Sequence, residues 1–387
     1  MKDIFIIGSK GIPAQYGGYE TFVDNLVFRQ ESPELKYHVA CRTFDKNPRQ
    51  YKYHGADCQE ISVPNIGGAT AIIYDLKALN WALATIKKNN LKNGIIYILA
   101  ARIGPFIQNY IPKFHKYGFQ VWVNPDGHEW LRAKWSKPVR EYWKFSESRM
   151  VKHADLLICD SKNIEQYIHQ QYDHFNPNTI FIPYGADIKN SSLSLDDKMV
   201  KEWYESKKIR PNEYYLIVGR FVPENNYETM IREFMASNTT KDLVIITNVE
   251  KNAFYESLKE KTHFDKDARI KFVGTVYNKE FLKLIRENAY GYIHGHSVGG
   301  TNPSLLEALG STKINLLYDV GFNKEVGEDA ALYWSKTPGF LSGLLEKSDN
   351  LTSTQINNLG KRAKERVIDD YSWKKIVSTY EDTFLKR

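Results

Sequence analysis

The sequence predicts an α/β fold made of two doubly wound units, each a largely parallel sheet with helices on both faces. Three observations carry this. Short apolar runs ending at glycine or polar turn residues alternate with helical patterns through both halves of the chain, which is the rhythm of βαβ units. The runs are continuous rather than alternating, as strands buried on both faces require. A chain of 387 residues also exceeds what one core usually organises, so two domains of roughly 150 to 200 residues are expected.

In the first half, Ile4-Phe5-Ile6-Ile7 is a buried strand ending in Gly8. A long loop follows, Gly8 through Gly11-Ile12-Pro13-Ala14 to Gly17-Gly18-Tyr19-Glu20, and then Phe22, Val23, Leu26 and Val27 recur at helical spacing. The loop is too long for a dinucleotide turn, and Gly8-x-x-Gly11 does not satisfy G-x-G-x-x-G, which argues against a nicotinamide cofactor. Gly17-Gly18 lets a backbone approach a ligand at the helix start, or serves only a tight turn. Further strands are expected at 37–40, 61–63, 95–99, 121–123 and 156–159, with helices at 69–88 and 144–153.

Ligands of such sheets sit beyond the carboxyl ends of the strands. After 121–123 comes Asn124-Pro125-Asp126-Gly127-His128-Glu129-Trp130, two carboxylates and an imidazole in one loop. Asp126 or Glu129 can orient an acceptor hydroxyl or take its proton, while Pro-Asp-Gly is also a common turn. Asp160-Ser161 offers the same choice between ligand contact and a helix cap at Ser161. Residues 128–152 hold seven Lys or Arg against three Glu among Trp130, Trp135, Tyr142, Trp143 and Phe145. That mixture suits a membrane interface and also an ordinary solvated helix.

The first unit closes at 181–187, and polar residues 189–198 read as a linker. Strands restart at 214–218, followed by Gly219-Arg220 and a helix from Tyr227, with further strands at 243–247, 270–273, 291–294 and 314–318. Arg220 just beyond a strand end is placed for a diphosphate, which its planar fork matches, or is a surface arginine. In Ser297-Val298-Gly299-Gly300-Thr301-Asn302-Pro303, Asn302 is a preferred N-cap and Pro303 suits the first helical position. The helix N-terminus favours an anion, and Glu307, one turn on, can accept from a sugar hydroxyl. The residues from 359 onward read as helical.

A net charge of +7 fits an anionic ligand or membrane surface. Without a dense Lys/Arg run or a zinc-finger or RNP pattern, nucleic acid is not an expected partner. Cys41, Cys58 and Cys159 are unclustered and lack metal spacing, which suggests a reducing cytoplasmic setting. Residues 1–8 read as a strand rather than a signal peptide, and no window approaches the roughly 18 apolar residues of a membrane helix.

The blocks Gly11 to Glu20, Asp126-Gly127-His128-Glu129-Trp130, Lys134-Trp135, Asp160-Ser161, Gly219-Arg220-Phe221-Val222-Pro223-Glu224-Asn225-Asn226 and Gly299 to Ala308 stand in an order that resembles a GT-B, family 4 retaining glycosyltransferase. Nearer still is the bacterial subgroup of rhamnosyltransferases that begin polysaccharide chains. The resemblance implies a Rossmann-like acceptor domain at 1–188 with a helix at about 368–387 packing back on it, and a Rossmann-like donor domain at 189–367. It implies dTDP-L-rhamnose as donor and an undecaprenyl-diphosphate-linked glucose or N-acetylglucosamine as acceptor. The expected place is the inner face of the cytoplasmic membrane, peripherally bound to its anionic surface. No metal or other cofactor is expected.

On this template Gly17, Gly18, Arg220, Asn225, Gly300, Thr301, Asn302 and Glu307 bind the donor. Tyr16, Glu20, Asp126, His128 and Asp160 bind the acceptor, and Asp126, Glu129 and Arg220 carry catalysis. Two positions depart from the pattern. Asn225 stands where a lysine is usual, and Gly299, eight residues before Glu307, where a second glutamate is usual. These departures keep two alternatives open: a UDP- or GDP-hexose donor on the same fold, or a non-catalytic nucleotide-sugar-binding subunit.

Overall fold

The computed structural model describes residues 1–14, 17–132, 135–249 and 252–386. It divides into two compact units, Met1–Gly185 with Trp373–Arg387, and Ala186–Ser372. The sequence set the divisions at 188 and 367; the structure has them at Gly185/Ala186 and Ser372/Trp373. Ala186 N donates to Tyr371 O at 2.8 Å and bridges Ser372, which ties both ends of the second unit together.

Among the described residues the first unit is an eight-stranded sheet: β1 Lys2–Ile7, β2 Leu35–Thr43, β3 Gln50–Tyr53, β4 Ala56–Ser62, β5 Ile95–Leu99, β6 Gln120–Asn124, β7 Leu156–Cys159 and β8 Thr179–Phe181. Its order is β3-β4-β2-β1-β5-β6-β7-β8, parallel throughout except that β3 runs antiparallel to β4. That hairpin was not foreseen. Its residues Gln-Tyr-Lys-Tyr alternate between exposed and half-buried at the sheet edge and so lack a continuous apolar run. The helix expected at 144–153 begins earlier, at Lys137, because Pro138 falls in its first turn.

Period-two alternation puts the two sides of each strand into different cores. Phe5, Ile7, Ile96, Ile98, Val121 and Val123 pack against Tyr74, Ala78 and Ala82 of the helix Ala69–Asn89. On the other face Tyr97 and Trp122 meet Phe22 of the helix Gly18–Phe28 and Tyr380 and Phe384 of the helix Trp373–Lys386. Each fully buried large apolar side chain stabilises by roughly 1.5–3 kcal/mol, so this last helix contributes substantially to the first unit.

The second unit is a six-stranded parallel sheet: β9 Tyr214–Val218, β10 Asp242–Ile246, β11 Ile270–Gly274, β12 Gly291–His294, β13 Ile314–Tyr318 and β14 Leu332–Trp334, ordered β11-β10-β9-β12-β13-β14. Tyr215, Ile217, Leu243 and Ile245 face one core with Met230 and Phe234, while Tyr214, Leu216, Val244 and Tyr292 face the other with Phe281 and Ile285. The short β14 was also not foreseen. The C-terminal helical stretch is two helices, Ser353–Tyr371 and Trp373–Lys386. Among the described residues no helix is long and apolar enough to cross a membrane.

Candidate functional site

In the second sheet the chain order reverses between β9 and β12. A crevice forms at the carboxyl edge of such a reversal. The loops leaving those two strands carry Gly219-Arg220 and residues 295–302. A β-carbon at Gly219 would stand 3.3 Å from His296 Cε1 and 3.4 Å from Asn225 Nδ2, so the backbone there is closely walled. Arg220 is exposed. Asn225 is buried, and its amide donates to the Arg220 carbonyl at 2.7 Å, bracing the turn that presents the arginine.

Asn302 caps the helix Pro303–Ser311, its Oδ1 accepting from Ser304 N at 2.9 Å and Leu305 N at 3.4 Å. Gly299 has φ 136°, and no atom lies within 4 Å of where its β-carbon would be. Gly300 is half-buried and Thr301 buried. Glu307 Oε2 lies 2.7 Å from the guanidinium of Arg286, a residue only 4% exposed. Arg286 also donates to Ser304 Oγ at 3.2 Å, and Ser304 Oγ meets Tyr292 OH at 3.1 Å. Both hydroxyls reach the Val218 carbonyl, at 3.3 and 3.2 Å. One polar chain therefore ties Glu307 to the strand end that leads into Gly219-Arg220.

Tyr292 OH also lies 3.4 Å from His294 Nδ1, and the His294 ring stacks on His296 with centroids 4.4 Å apart. Burial, and after it the charge on His296, hold the His294 imidazole well below its ordinary pKa. This edge can hold an anion through the exposed arginine and the positive end of the helix dipole, beside a fixed carboxylate for a hydroxyl.

In the first sheet the reversal falls between β1 and β5. Arg102 fills it. Its guanidinium donates to the carbonyls of Gly8 at 2.9 Å and Leu99 at 3.0 Å, and its Nε is 3.1 Å from Asp75 Oδ2. Burial pushes the Asp75 carboxyl up to about 6 against the pull of Arg102 and Arg42. Gly8 has φ 108°, and a β-carbon there would stand 2.2 Å from the Leu99 oxygen.

Past β6, Asn124 Oδ1 accepts from Asp126 N at 2.9 Å and from Tyr19 OH at 3.5 Å. Asp126 and His128 both take left-handed backbone, φ 60° and 48°. Burial raises the Asp126 carboxyl pKa; Arg132 at 3.9 Å opposes this and Glu129 adds to it. Glu129 is ion-paired to Arg132 and accepts from Trp135 Nε1 at 3.0 Å. The His128 ring packs 4.1 Å from that of Tyr167, and burial lowers its pKa. Asp160 is buried after β7, and Ser161 caps the helix Lys162–Tyr172, accepting from Asn163 N at 3.1 Å. Burial first, then the charges of Asp126 and Asp160, raise the pKa of the Tyr19 hydroxyl, so these side chains share one electrostatic neighbourhood.

Gly17, at φ 130°, precedes the helix Gly18–Phe28. Glu20 is buried, its Oε1 accepting from Lys10 N at 2.6 Å, so it closes the loop on itself. Among the described residues, and apart from its chain neighbours, nothing lies within 4 Å of a β-carbon at Gly18. Tyr16 and Lys134 lie outside the described residues. The structure thus gathers Arg220, Asn225, Gly300, Thr301, Asn302 and Glu307 at one sheet edge, and Asp126 and Asp160 at the other. Glu129 and Glu20 are turned to Arg132 and Lys10. Arg286, Arg102, Asp75, Tyr19 and the His294/His296 pair went unseen in the sequence. For the histidines a signal existed, two imidazoles one residue apart at a strand end.

Among the described residues no group of three or more His, Cys, Asp or Glu is placed to hold a metal ion. A family model described as a domain of unknown function (DUF1972) matches residues 1–187. A glycosyltransferase of Methanocaldococcus jannaschii, described as uncharacterized, is 25% identical over 242 residues. That stretch is 60% of this chain and 59% of the relative, under two thirds of its length. Among solved structures, sucrose-phosphate synthase from Thermosynechococcus elongatus aligns with a TM-score of 0.79 and 16% identity over 100% of this chain and 99% of the other. Anabaena HepE, solved in complex with UDP, aligns with a TM-score of 0.72 and 12% identity over 100% of each chain. The chain therefore has an α/β fold of two Rossmann-like parallel sheets that matches GT-B glycosyltransferase structures.

Proposed function

We propose that the chain is a retaining glycosyltransferase that moves L-rhamnose from dTDP-L-rhamnose to a glucose or N-acetylglucosamine carried on a lipid diphosphate. The observation that carries the reading is the β9/β12 edge, where exposed Arg220, a capped helix start and a carboxylate held by Arg286 stand together. A nucleoside diphosphate meets all three: guanidinium and helix dipole for the phosphates, Glu307 for the nucleoside sugar. The UDP bound to the similar HepE and the name of the M. jannaschii relative lend the same support.

In this reading the first unit holds the acceptor through Asp126, His128 and Asp160. The acceptor oxygen attacks the anomeric carbon on the face from which the diphosphate leaves. The carbon–oxygen bond to phosphate breaks, and the hydroxyl proton passes to a diphosphate oxygen. Arg220 and the positive end of the helix dipole oppose the charge that develops there, which is the work of preorganised electrostatics. No metal takes part in the proposed reaction. The aromatic and basic residues of the helix Lys137–His153, with Phe145 and Leu131 exposed nearby, would seat the protein on an anionic membrane surface at the cytoplasmic side.

Mass spectrometry of a donor panel against synthetic glucosyl and N-acetylglucosaminyl lipid diphosphates tests this. Transfer of 6-deoxyhexose by the wild type and its loss in folded Arg220→Ala and Glu307→Ala support the assignment; full activity in both variants refutes it. A UDP donor is the second reading, favoured by the HepE complex, and thermal shifts with dTDP, UDP and GDP separate the two. Donor binding with no turnover on any acceptor would make the chain a binding subunit.

A further inference from the structure

We infer that His296 is the second cation of the nucleoside-diphosphate subsite, standing in for the lysine that is absent at Asn225. The inference deepens the proposed function and rests on it.

The placement of His296 carries the argument. A β-carbon at Gly219 would be 3.3 Å from His296 Cε1 and 3.4 Å from Asn225 Nδ2, so the two side chains flank the same backbone position, next to Arg220. Asn225 faces inward, donating to the Arg220 carbonyl, and brings no charge. His296 is half-buried, at the mouth of the reversal between β9 and β12. An imidazolium there stands beside Asn225 at the same backbone position, and charge-assisted hydrogen bonds to phosphate are the strong kind.

The packing behind His296 fits that role. Its ring stacks on His294 at an interplanar angle of 11°. His294 is 1% exposed, and its Nε2 is buried with no hydrogen-bond partner among the described residues. A buried, neutral imidazole gives a flat aromatic bed for a cation without competing for the anion. Asn323 Nδ2 donates to the His296 carbonyl at 3.1 Å, and Ser297 bonds the Glu224 carbonyl through N and Oγ at 3.1 and 2.7 Å, which fixes the backbone on both sides. His294 stacks on the ring and Tyr227 flanks Gly219 with it, while the adjoining elements also carry Arg220, Glu224, Lys324 and Glu325.

The test is dTDP and UDP affinity by calorimetry from pH 5.5 to 8.5, with the unphosphorylated nucleosides as controls. For the wild type, diphosphate affinity should fall as pH rises through the imidazole range. H296N should bind the diphosphate about tenfold more weakly at pH 6, lose that pH dependence and bind nucleoside unchanged. If H296N does not fold, H296Q, which keeps a polar side chain of similar size without the charge, is read in its place. A wild type that binds nucleoside diphosphate with no pH dependence, or a folded H296N that binds it equally well, overturns the inference. A wild type that binds neither dTDP nor UDP overturns the proposed function instead.

Discussion

Arg286 and Glu307 form an unequal ion pair: the arginine is 4% exposed, while the glutamate side chain 2.7 Å from it is 41% exposed. The pair is thus anchored from the inside, and the carboxylate is held at the edge by a charge that has no other route to water. The two partners should therefore respond differently to removal. Glu307→Leu leaves a buried charge uncompensated and is expected to cost roughly 3 kcal/mol of stability. Arg286→Met leaves an exposed carboxylate that simply hydrates, and should cost less while weakening nucleotide binding about tenfold. Urea melts and nucleotide titrations of both variants check this ordering.

Gly8 and Gly18 make a second contrast. A side chain at Gly8 meets the Leu99 oxygen at 2.2 Å in a backbone conformation that suits glycine, so Gly8→Ala should lose roughly 2 kcal/mol or more. Gly18 has open space, so Gly18→Ala should melt like the wild type. If Gly18 admits a ligand backbone-close, turnover should nevertheless fall in that variant. Differential scanning fluorimetry paired with the transfer assay separates the two effects.

Asp75 gives a pH prediction with a definite sign. Its folded pKa, about 6, is above the ordinary carboxylate value because burial outweighs the pull of Arg102. The folded state then binds the proton more tightly, so this contribution is fully present below about pH 4 and is lost as pH rises towards 6. The stability of the wild type relative to Asp75→Asn should accordingly decline between pH 4 and 6.5. Chemical denaturation at several pH values in that window measures it, and a difference that grows with pH would contradict the assignment.

For the exposed aromatic and apolar residues near the helix Lys137–His153, a bilayer contact predicts a change in vesicle binding without a change in fold. Phe145 and Leu131 are 53% and 45% exposed, so Phe145→Ser with Leu131→Ser should leave the melting temperature within a degree or two. Sedimentation with phosphatidylglycerol vesicles should drop several-fold in this double variant. Replacing Trp135 and Lys137 should do the same. Unchanged sedimentation in both counts against a bilayer contact.

The two-unit organisation and the Asn302-capped helix were legible in the sequence because each is written locally, in an apolar run or a cap followed by proline. β3 was not, since Gln50–Tyr53 is an edge strand whose pattern makes sense only beside β4. Arg286 was missed for a related reason. On the helix Lys279–Glu287 it reads as one more exposed charge, and only the packing of that helix against Pro303–Ser311 brings it to Glu307. Arg102 likewise acquires its meaning from β1 lying beside β5, a pairing of segments about ninety residues apart. Asn225 illustrates the opposite case: the sequence showed the missing lysine, but only the hydrogen bond to Arg220 O shows what the asparagine does.

The helix Trp373–Lys386 completes the first unit although it follows the whole second unit in the chain. Until it emerges during synthesis, Tyr97 and Trp122 lack Tyr380 and Phe384, and the backbone N–H groups of Glu31 and Ser32 lack the Glu381 carboxylate that accepts from them at 2.9 and 3.0 Å. The second unit, a single uninterrupted stretch, has no such wait. On the ribosome, then, the order of completion is the reverse of the order of translation. A chain stopped at residue 372 would carry a finished second unit and a first unit in which Tyr97 keeps Phe22 but lacks Tyr380 and Phe384.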